Sequence, residues 1–259
     1  MTLLPFDWWR TVFFLIPLIS VYTIVLGTLS ILSTFVDRKG RAAHWCARAW
    51  SWMILATTGV DVTVKGLDRV KLGETYIFIA NHQSIYDIPV IFASLPFQLR
   101  IIAKESLGRF PFLGWHLIRS GHLLVNRRNP DPSGILTRWR RLVADRLSLI
   151  IFPEGTRSPD GEVGRFKAGS FLLALEAGLT IVPLSVSGTV HVMKKNRLMT
   201  CPGQVTLEIH EPIPIHRAEA RSTADARQLA KRVEGIVRSG VRPTQTRAQI
   251  TPHAVQQPG

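Results

Sequence analysis

Two short stretches hold the residue types that acid–base chemistry needs. The first is Ile79-Ala-Asn-His-Gln-Ser-Ile-Tyr-Asp87, which places one imidazole, His82, and one carboxylate, Asp87, behind a short apolar run. A neutral imidazole can take a proton from a hydroxyl. A carboxylate on its Nδ1 fixes the tautomer and stabilises the imidazolium that forms. On one continuous helix, residues five apart sit about 140° apart around the axis and face different ways. The two groups can therefore meet only if His82 lies in a turn before the helix that carries Asp87. Such a pair needs no serine or cysteine nucleophile, because the base can activate a hydroxyl brought by a second substrate. The second stretch, Phe152-Pro-Glu-Gly-Thr-Arg157, also follows an apolar run. Gly155 lets backbone approach a ligand closely, and Arg157 can offer a fork of donors to a phosphate. Lys104, after Leu99–Ala103, and Arg127, closing Gly121–Arg127, add two cations. Converging, these cations would bind a phosphomonoester. Taken singly each reads more readily as a solvated surface charge, and Glu154 with Arg157 reads also as an ion pair holding a turn.

The elements that must position these groups follow from hydrophobic periodicity. Strands are expected at Val60–Lys65, Tyr76–Ala80, Leu99–Ala103, His122–Asn126, Leu149–Phe152, Ile181–Val186 and Val205–His210. Helices are expected over residues 85–95, Phe112–Arg119, Asp131–Leu147, Phe166–Ala177 and Ala224–Ser239. This alternation predicts an α/β domain over residues 60–242 with a mixed, largely parallel sheet flanked by helices. In such sheets the turns at the strands' carboxyl ends share one edge, where ligands bind. His82, Lys104, Arg127 and Glu154–Arg157 all fall just past a predicted strand, which points to a single site.

Residues 11–36 contain no charged side chain, and about 20 apolar residues are enough to cross a bilayer. The run is too long for the apolar core of a signal peptide. Pro17 would kink the helix or let it dip into one leaflet. A basic segment, Asp37-Arg-Lys-Gly-Arg41, follows. Residues 42–59 then carry Trp45, Trp50 and Trp52, which suits a helix at headgroup level; a core helix of the domain fits the spacing as well. Residues 1–59 are thus expected to form an N-terminal pair of membrane-associated helices. The basic flank is expected to place the domain that follows on the cytoplasmic side. The polar segment 243–259 is expected to be disordered.

Composition narrows the partners. The formal net charge is +14 and the sequence pI about 10.8, which suits anionic lipid, nucleic acid or phosphorylated substrates. No nucleic-acid recognition motif accompanies the charge, so no nucleic-acid partner is expected. Two cysteines give neither a disulfide framework nor a C-x-x-C pair, and no cluster has metal-ligand spacing. A membrane protein that binds anionic lipid without catalysis is the rival to an enzyme.

The sequence also carries a resemblance. Asn81–Asp87, Gly121–Arg127, Phe152–Ser158 and Ile181–Gly188 stand in the order and spacing of the four blocks of the glycerolipid acyltransferases, with the 1-acyl-sn-glycerol-3-phosphate acyltransferases most similar. The resemblance spans roughly residues 60–215, and the N-terminal helix pair is similar to that of bacterial members, which implies the inner membrane of a bacterium. The second block departs from the family's usual Phe-Ile-Asp and reads Leu124-Val125-Asn126. The resemblance implies that His82, oriented by Asp87, deprotonates the free hydroxyl of a lysophospholipid, which attacks the thioester of acyl-CoA or acyl carrier protein. It implies that Arg127, Glu154, Gly155, Thr156 and Arg157 hold the acceptor's glycerol phosphate, with Lys104 as a further phosphate contact. Pro183 would line the acyl path, and amides near the His82 turn would stabilise the oxyanion. Neither cofactor nor metal is implied. Glycerol 3-phosphate, another lysophospholipid or a lyso-aminolipid stay open as acceptors.

Overall fold

The structure is a computed structural model that describes residues 5–37, 39–126, 132–215 and 222–242. Among these residues seven strands form one sheet: β1 (Val60–Lys65), β2 (Ile77–Ala80), β3 (Leu99–Lys104), β4 (Leu123–Val125), β5 (Ser148–Ile151), β6 (Ile181–Ser187) and β7 (Gly203–Ile209). Their order is β1-β7-β6-β2-β5-β3-β4. Strands β6, β2, β5, β3 and β4 run parallel; β7 runs antiparallel to β6 and parallel to β1. The expected mixed, largely parallel sheet is the one observed. Every residue of β2, β5 and β6 is buried, as near-continuous apolar runs in a doubly covered parallel sheet should be.

The pleat divides the core. Phe78 and Ala80 pack on one face of the sheet, Ile77 and Ile79 on the other. The first face is covered by α1 (Phe6–Ser33), α2 (Arg41–Thr58) and α3 (Asp87–Ser94), through Tyr22, Ile54, Leu55, Val90 and Ile91. A short helix, α4 (Leu113–Arg119), lies beyond them. The second face carries α5 (Pro132–Ala144), α6 (Ala168–Ala177) and α8 (Thr223–Gly240), through Trp139, Phe171, Ala174 and Val233. Between β6 and β7 stands the single turn α7 (Thr189–Val192).

Helix α1 is long and apolar enough to cross a membrane by length and composition. A π-helical turn at Thr11–Leu15 stands immediately before Pro17. Proline has no N–H to donate, and its ring crowds the carbonyl four residues back; the wider turn relieves both conflicts locally. The helix lies along the domain from end to end. Arg10 Nη2 donates to the Thr200 carbonyl at 3.1 Å, Trp50 Nε1 donates to Thr23 Oγ1 at 2.8 Å, and Arg119 Nε donates to Thr34 Oγ1 at 3.3 Å. The Arg119 guanidinium also sits 4.8 Å over the Phe35 ring. Helix α2 is a core helix on one side, where Ile54 and Leu55 join the core, while Trp45 and Trp52 on it are 65% and 67% exposed. The segment 243–259 lies outside the described residues.

Candidate active site

The turn after β2 is held in a shape that a helix could not give. Asn81 is fully buried, and its amide acts as one more rung between β2 and β6. Its Nδ2 donates to the Val186 carbonyl at 2.9 Å, and its Oδ1 accepts from Val186 N at 2.8 Å. The side chain thus replaces the backbone in the ladder, and the main chain is released into the turn. His82 sits in that turn, ahead of α3, which opens at Asp87. His82 Nδ1 lies 2.7 Å from Asp87 Oδ2. The same Oδ2 accepts from Gln83 N at 2.8 Å and Ser84 N at 2.9 Å, while Oδ1 accepts from the Thr189 hydroxyl. Asp87 is completely buried. Four donors and the positive end of α3 offset the cost of burying that charge. Because both backbone amides require an acceptor at Oδ2, the imidazole must donate from Nδ1, and Nε2 is left as the basic nitrogen.

The ring is also fixed in plane. Phe152 stacks on it with centroids 4.2 Å apart and planes 25° from parallel. Phe152 follows β5, the strand beside β2, so adjacent parallel strands deliver the base and its platform to the same edge. The turn beyond Phe152 is tied to the His82 turn. Glu154 Oε1 accepts from His82 N at 2.8 Å and Oε2 from Gly164 N at 3.1 Å; Ser158 N donates to the His82 carbonyl at 2.7 Å. A side chain at Gly164 would meet Glu154 Oε2 at 2.8 Å, so only glycine allows that approach. Gly155 turns the chain at φ +73°, a left-handed conformation glycine adopts without strain. Burial pushes the Glu154 carboxyl above its ordinary value, against the two amides that favour the ionised form.

His82 opens onto a cavity of about 450 Å³. Its mouth carries Lys104, Thr156, Arg157 and Lys195, and its walls are Leu26 and Gly27 of α1, Ala47 and Trp50 of α2, Ile88 and Phe92 of α3, and Ile101 and Ala103 of β3. The arrangement is a cationic rim, an imidazole on an aromatic platform, and an apolar channel running beneath the N-terminal helices.

Some expectations change. Glu154 faces inward and holds backbone, so it is not at the rim that Arg157 and Lys104 share. Pro183, expected along the acyl path, is buried in β6 opposite Ile79 and does not line the cavity; the channel runs along β3, α3 and the N-terminal helices, on the far side of β2 from β6. The amides of the His82 turn are not free for an oxyanion, because those of residues 82, 83 and 84 are engaged by Glu154 and Asp87. Arg127 lies outside the described residues. One rim cation was not singled out in the sequence. Lys195 Nζ donates to Thr156 Oγ1 at 3.1 Å. Asn196 turns left-handed behind it at φ +61°, and Ser84 Oγ donates to the Met193 carbonyl at 2.7 Å, which ties this loop to the His82 turn. The basic run Lys194-Lys195-Asn196-Arg197, placed after β6, was the available signal.

An imidazole–carboxylate pair thus stands at the carboxyl edge of a mostly parallel sheet, beneath cations and above an apolar channel. Residues 61–187 match the family described as Acyltransferase, and the domain they form belongs to that family. A 1-acyl-sn-glycerol-3-phosphate acyltransferase of Chlamydomonas reinhardtii is 31% identical over 215 residues, covering 81% of this chain and 64% of the relative. One from Cocos nucifera is 34% identical over 172 residues, covering 66% of this chain and 54% of the relative. The chain therefore spans roughly half to two thirds of the length of these relatives. The crystal structure of the 1-acyl-sn-glycerophosphate acyltransferase PlsC from Thermotoga maritima superposes with a TM-score of 0.67 at 28% identity. It covers 86% of this chain and 93% of that one.

Proposed function

We propose that the protein is an O-acyltransferase that moves a fatty acyl group from a thioester, acyl-CoA or acyl carrier protein, to the free hydroxyl of 1-acyl-sn-glycerol 3-phosphate, giving phosphatidic acid for phospholipid synthesis. The observation that carries this reading is the 2.7 Å contact between His82 Nδ1 and Asp87 at the cavity mouth. His82 Nε2 takes the acceptor's hydroxyl proton as its oxygen attacks the thioester carbon. The resulting tetrahedral intermediate collapses with cleavage of the C–S bond, and the imidazolium returns the proton to the leaving thiolate. Asp87 steadies the imidazolium between those two events. Lys104, Arg157 and Lys195, with Thr156, hold the acceptor's phosphate at the rim, and Arg127 joins them in this reading. Glu154 and Gly155 shape the turn that presents Thr156 and Arg157. The donor's chain lies in the apolar channel. No cofactor or metal is required for these steps.

The N-terminal pair anchors the enzyme to anionic lipid. Both ends of α1 contact the same domain, which favours a helix lying in one leaflet over one crossing the bilayer. The exposed Trp45 and Trp52 sit at headgroup level. The basic surface faces the cytoplasmic leaflet.

The test is turnover by the purified full chain in mixed micelles with labelled acyl-CoA or acyl carrier protein and a panel of acceptors. His82→Ala is expected to abolish transfer while leaving vesicle binding unchanged. Vesicle binding without transfer in the unaltered protein would support the lipid-binding rival.

A further inference from the structure

The apolar channel has a polar floor that the acyl-transfer reading does not use. His116 of α4 and His122 at the start of β4 line the cavity and are each only 8% exposed. Ile101 N donates to His122 Nδ1 at 3.0 Å. A backbone amide can only donate, so a neutral His122 ring carries its hydrogen on Nε2, and no described residue accepts it. His116 Nδ1 lies 2.5 Å from Ser30 Oγ; its Nε2 likewise has no partner among the described residues. The two rings stand 5.6 Å apart by centroid. Their depth follows from the strand: His122 meets Ile101, three residues back from Lys104 at the rim, or about 10 Å below it at strand rise.

From this geometry we infer that the channel floor is a subsite for a neutral hydrogen-bonding group part-way along the acyl chain, best met by a mid-chain hydroxyl. The inference rests on the proposed acyl transfer. A plain hydrocarbon chain in the channel would displace water from both imidazoles and replace it with nothing that can bond to them, and an unpaired buried polar group is costly. A hydroxyl both donates and accepts, so it can serve the His122 Nε2–H and a basic nitrogen of His116 together. A carboxylate or phosphate suits the floor less well. Burial, with the Arg100 guanidinium nearby, holds the His116 ring down at about 4, and burial, with His116, Arg100 and His44 around it, holds His122 well below the ordinary range, so both rings are neutral near pH 7 and offer an anion no charge of their own.

The experiment is a competition in the full-length wild type. 1-Acyl-sn-glycerol 3-phosphate is acylated from equimolar mixtures of a saturated acyl-CoA and its monohydroxy counterparts, with the hydroxyl moved stepwise along the chain, and products are counted by mass. At one mid-chain position the hydroxyacyl donor is expected to win by about tenfold or more. His122→Leu and His116→Leu are each expected to erase or reverse that preference while still transferring the plain chain. A preference within twofold at every position overturns the subsite, as does a preference that survives both substitutions. Absence of transfer from every donor would instead remove the acyltransferase reading beneath it.

Discussion

Replacing Asp87 by Asn preserves the shape of the site and removes its charge. Asp87 Oδ2 accepts from His82 Nδ1 at 2.7 Å and from two backbone amides at 2.8 and 2.9 Å, while Oδ1 accepts from Thr189. The two amides will take the asparagine oxygen, which leaves its NH2 facing the Thr189 hydroxyl, a group that can rotate to accept. His82 therefore keeps its hydrogen on Nδ1, and the tautomer survives. What disappears is the attraction between carboxylate and imidazolium in the transition state. With contact atoms at 2.7 Å, the charge centres lie about 4 Å apart, worth about 4 kcal/mol at an effective dielectric of about 20. That corresponds to about a thousandfold in rate. The assay is steady-state transfer by the purified full chain in mixed micelles, both substrates varied, beside a thermal melt. The expected result is kcat lowered about a thousandfold with both KM values near wild type, since Asp87 touches neither substrate. A correctly folded Asp87→Asn protein within tenfold of wild-type kcat would refute the general-base role of His82, because the imidazolium would then not be forming beside that carboxylate.

Lys195→Ala should raise KM for 1-acyl-sn-glycerol 3-phosphate about tenfold with little change in kcat, as expected for one charge-assisted contact to phosphate, while KM for a monoacylglycerol stays put; equal effects on both acceptors would remove Lys195 from the phosphate site. His116 titrates near 4 in the fold, against 6.5 ordinarily, chiefly through burial. The unfolded chain thus binds this proton first, so stability holds above about pH 6.5 and falls as pH drops toward 4, by about 3 kcal/mol for this group. His116→Phe should remove that part of the acid sensitivity, read as a flatter melting temperature between pH 7 and 4. Glu154 works in the opposite sense, because its raised carboxyl takes up a proton on folding just above its ordinary value. Wild-type stability relative to Glu154→Gln should therefore decline as pH rises through that window, and chemical denaturation at stepped pH reads the difference. Trp45→Ser with Trp52→Ser should weaken binding to anionic vesicles severalfold without lowering turnover in detergent; unchanged binding would place the membrane contact elsewhere.

The parts of the fold that could be read in advance are those governed by local periodicity. Val60–Lys65 is a strand in both readings, and β5 and β6 differ by a residue or two at their ends, because each is a short apolar run between turn residues. Strand direction is not local: nothing within residues 203–209 tells that β7 runs against β6, since that depends on where Gly188 and the loop after it send the chain. Helical geometry fixed the one condition under which His82 and Asp87 could meet, a turn before the helix, and the 2.7 Å contact shows that the condition holds. The function of Glu154 was not. In sequence it stands beside Arg157 and shares its turn, yet the glycine that admits its carboxylate, Gly164, is ten residues away. The acidic and basic members of one hexapeptide thus point in opposite directions, Glu154 into the protein and Arg157 to the rim. That division has a physical reason. In the proposed reaction a carboxylate at the rim would repel the acceptor's phosphate from Lys104, Arg157 and Lys195, whereas turned inward it fixes the backbone of His82, and with it the imidazole, relative to those three cations. The site therefore depends on one buried acid for the ring's tautomer and another for the position of its backbone, and neither acid needs to touch a substrate.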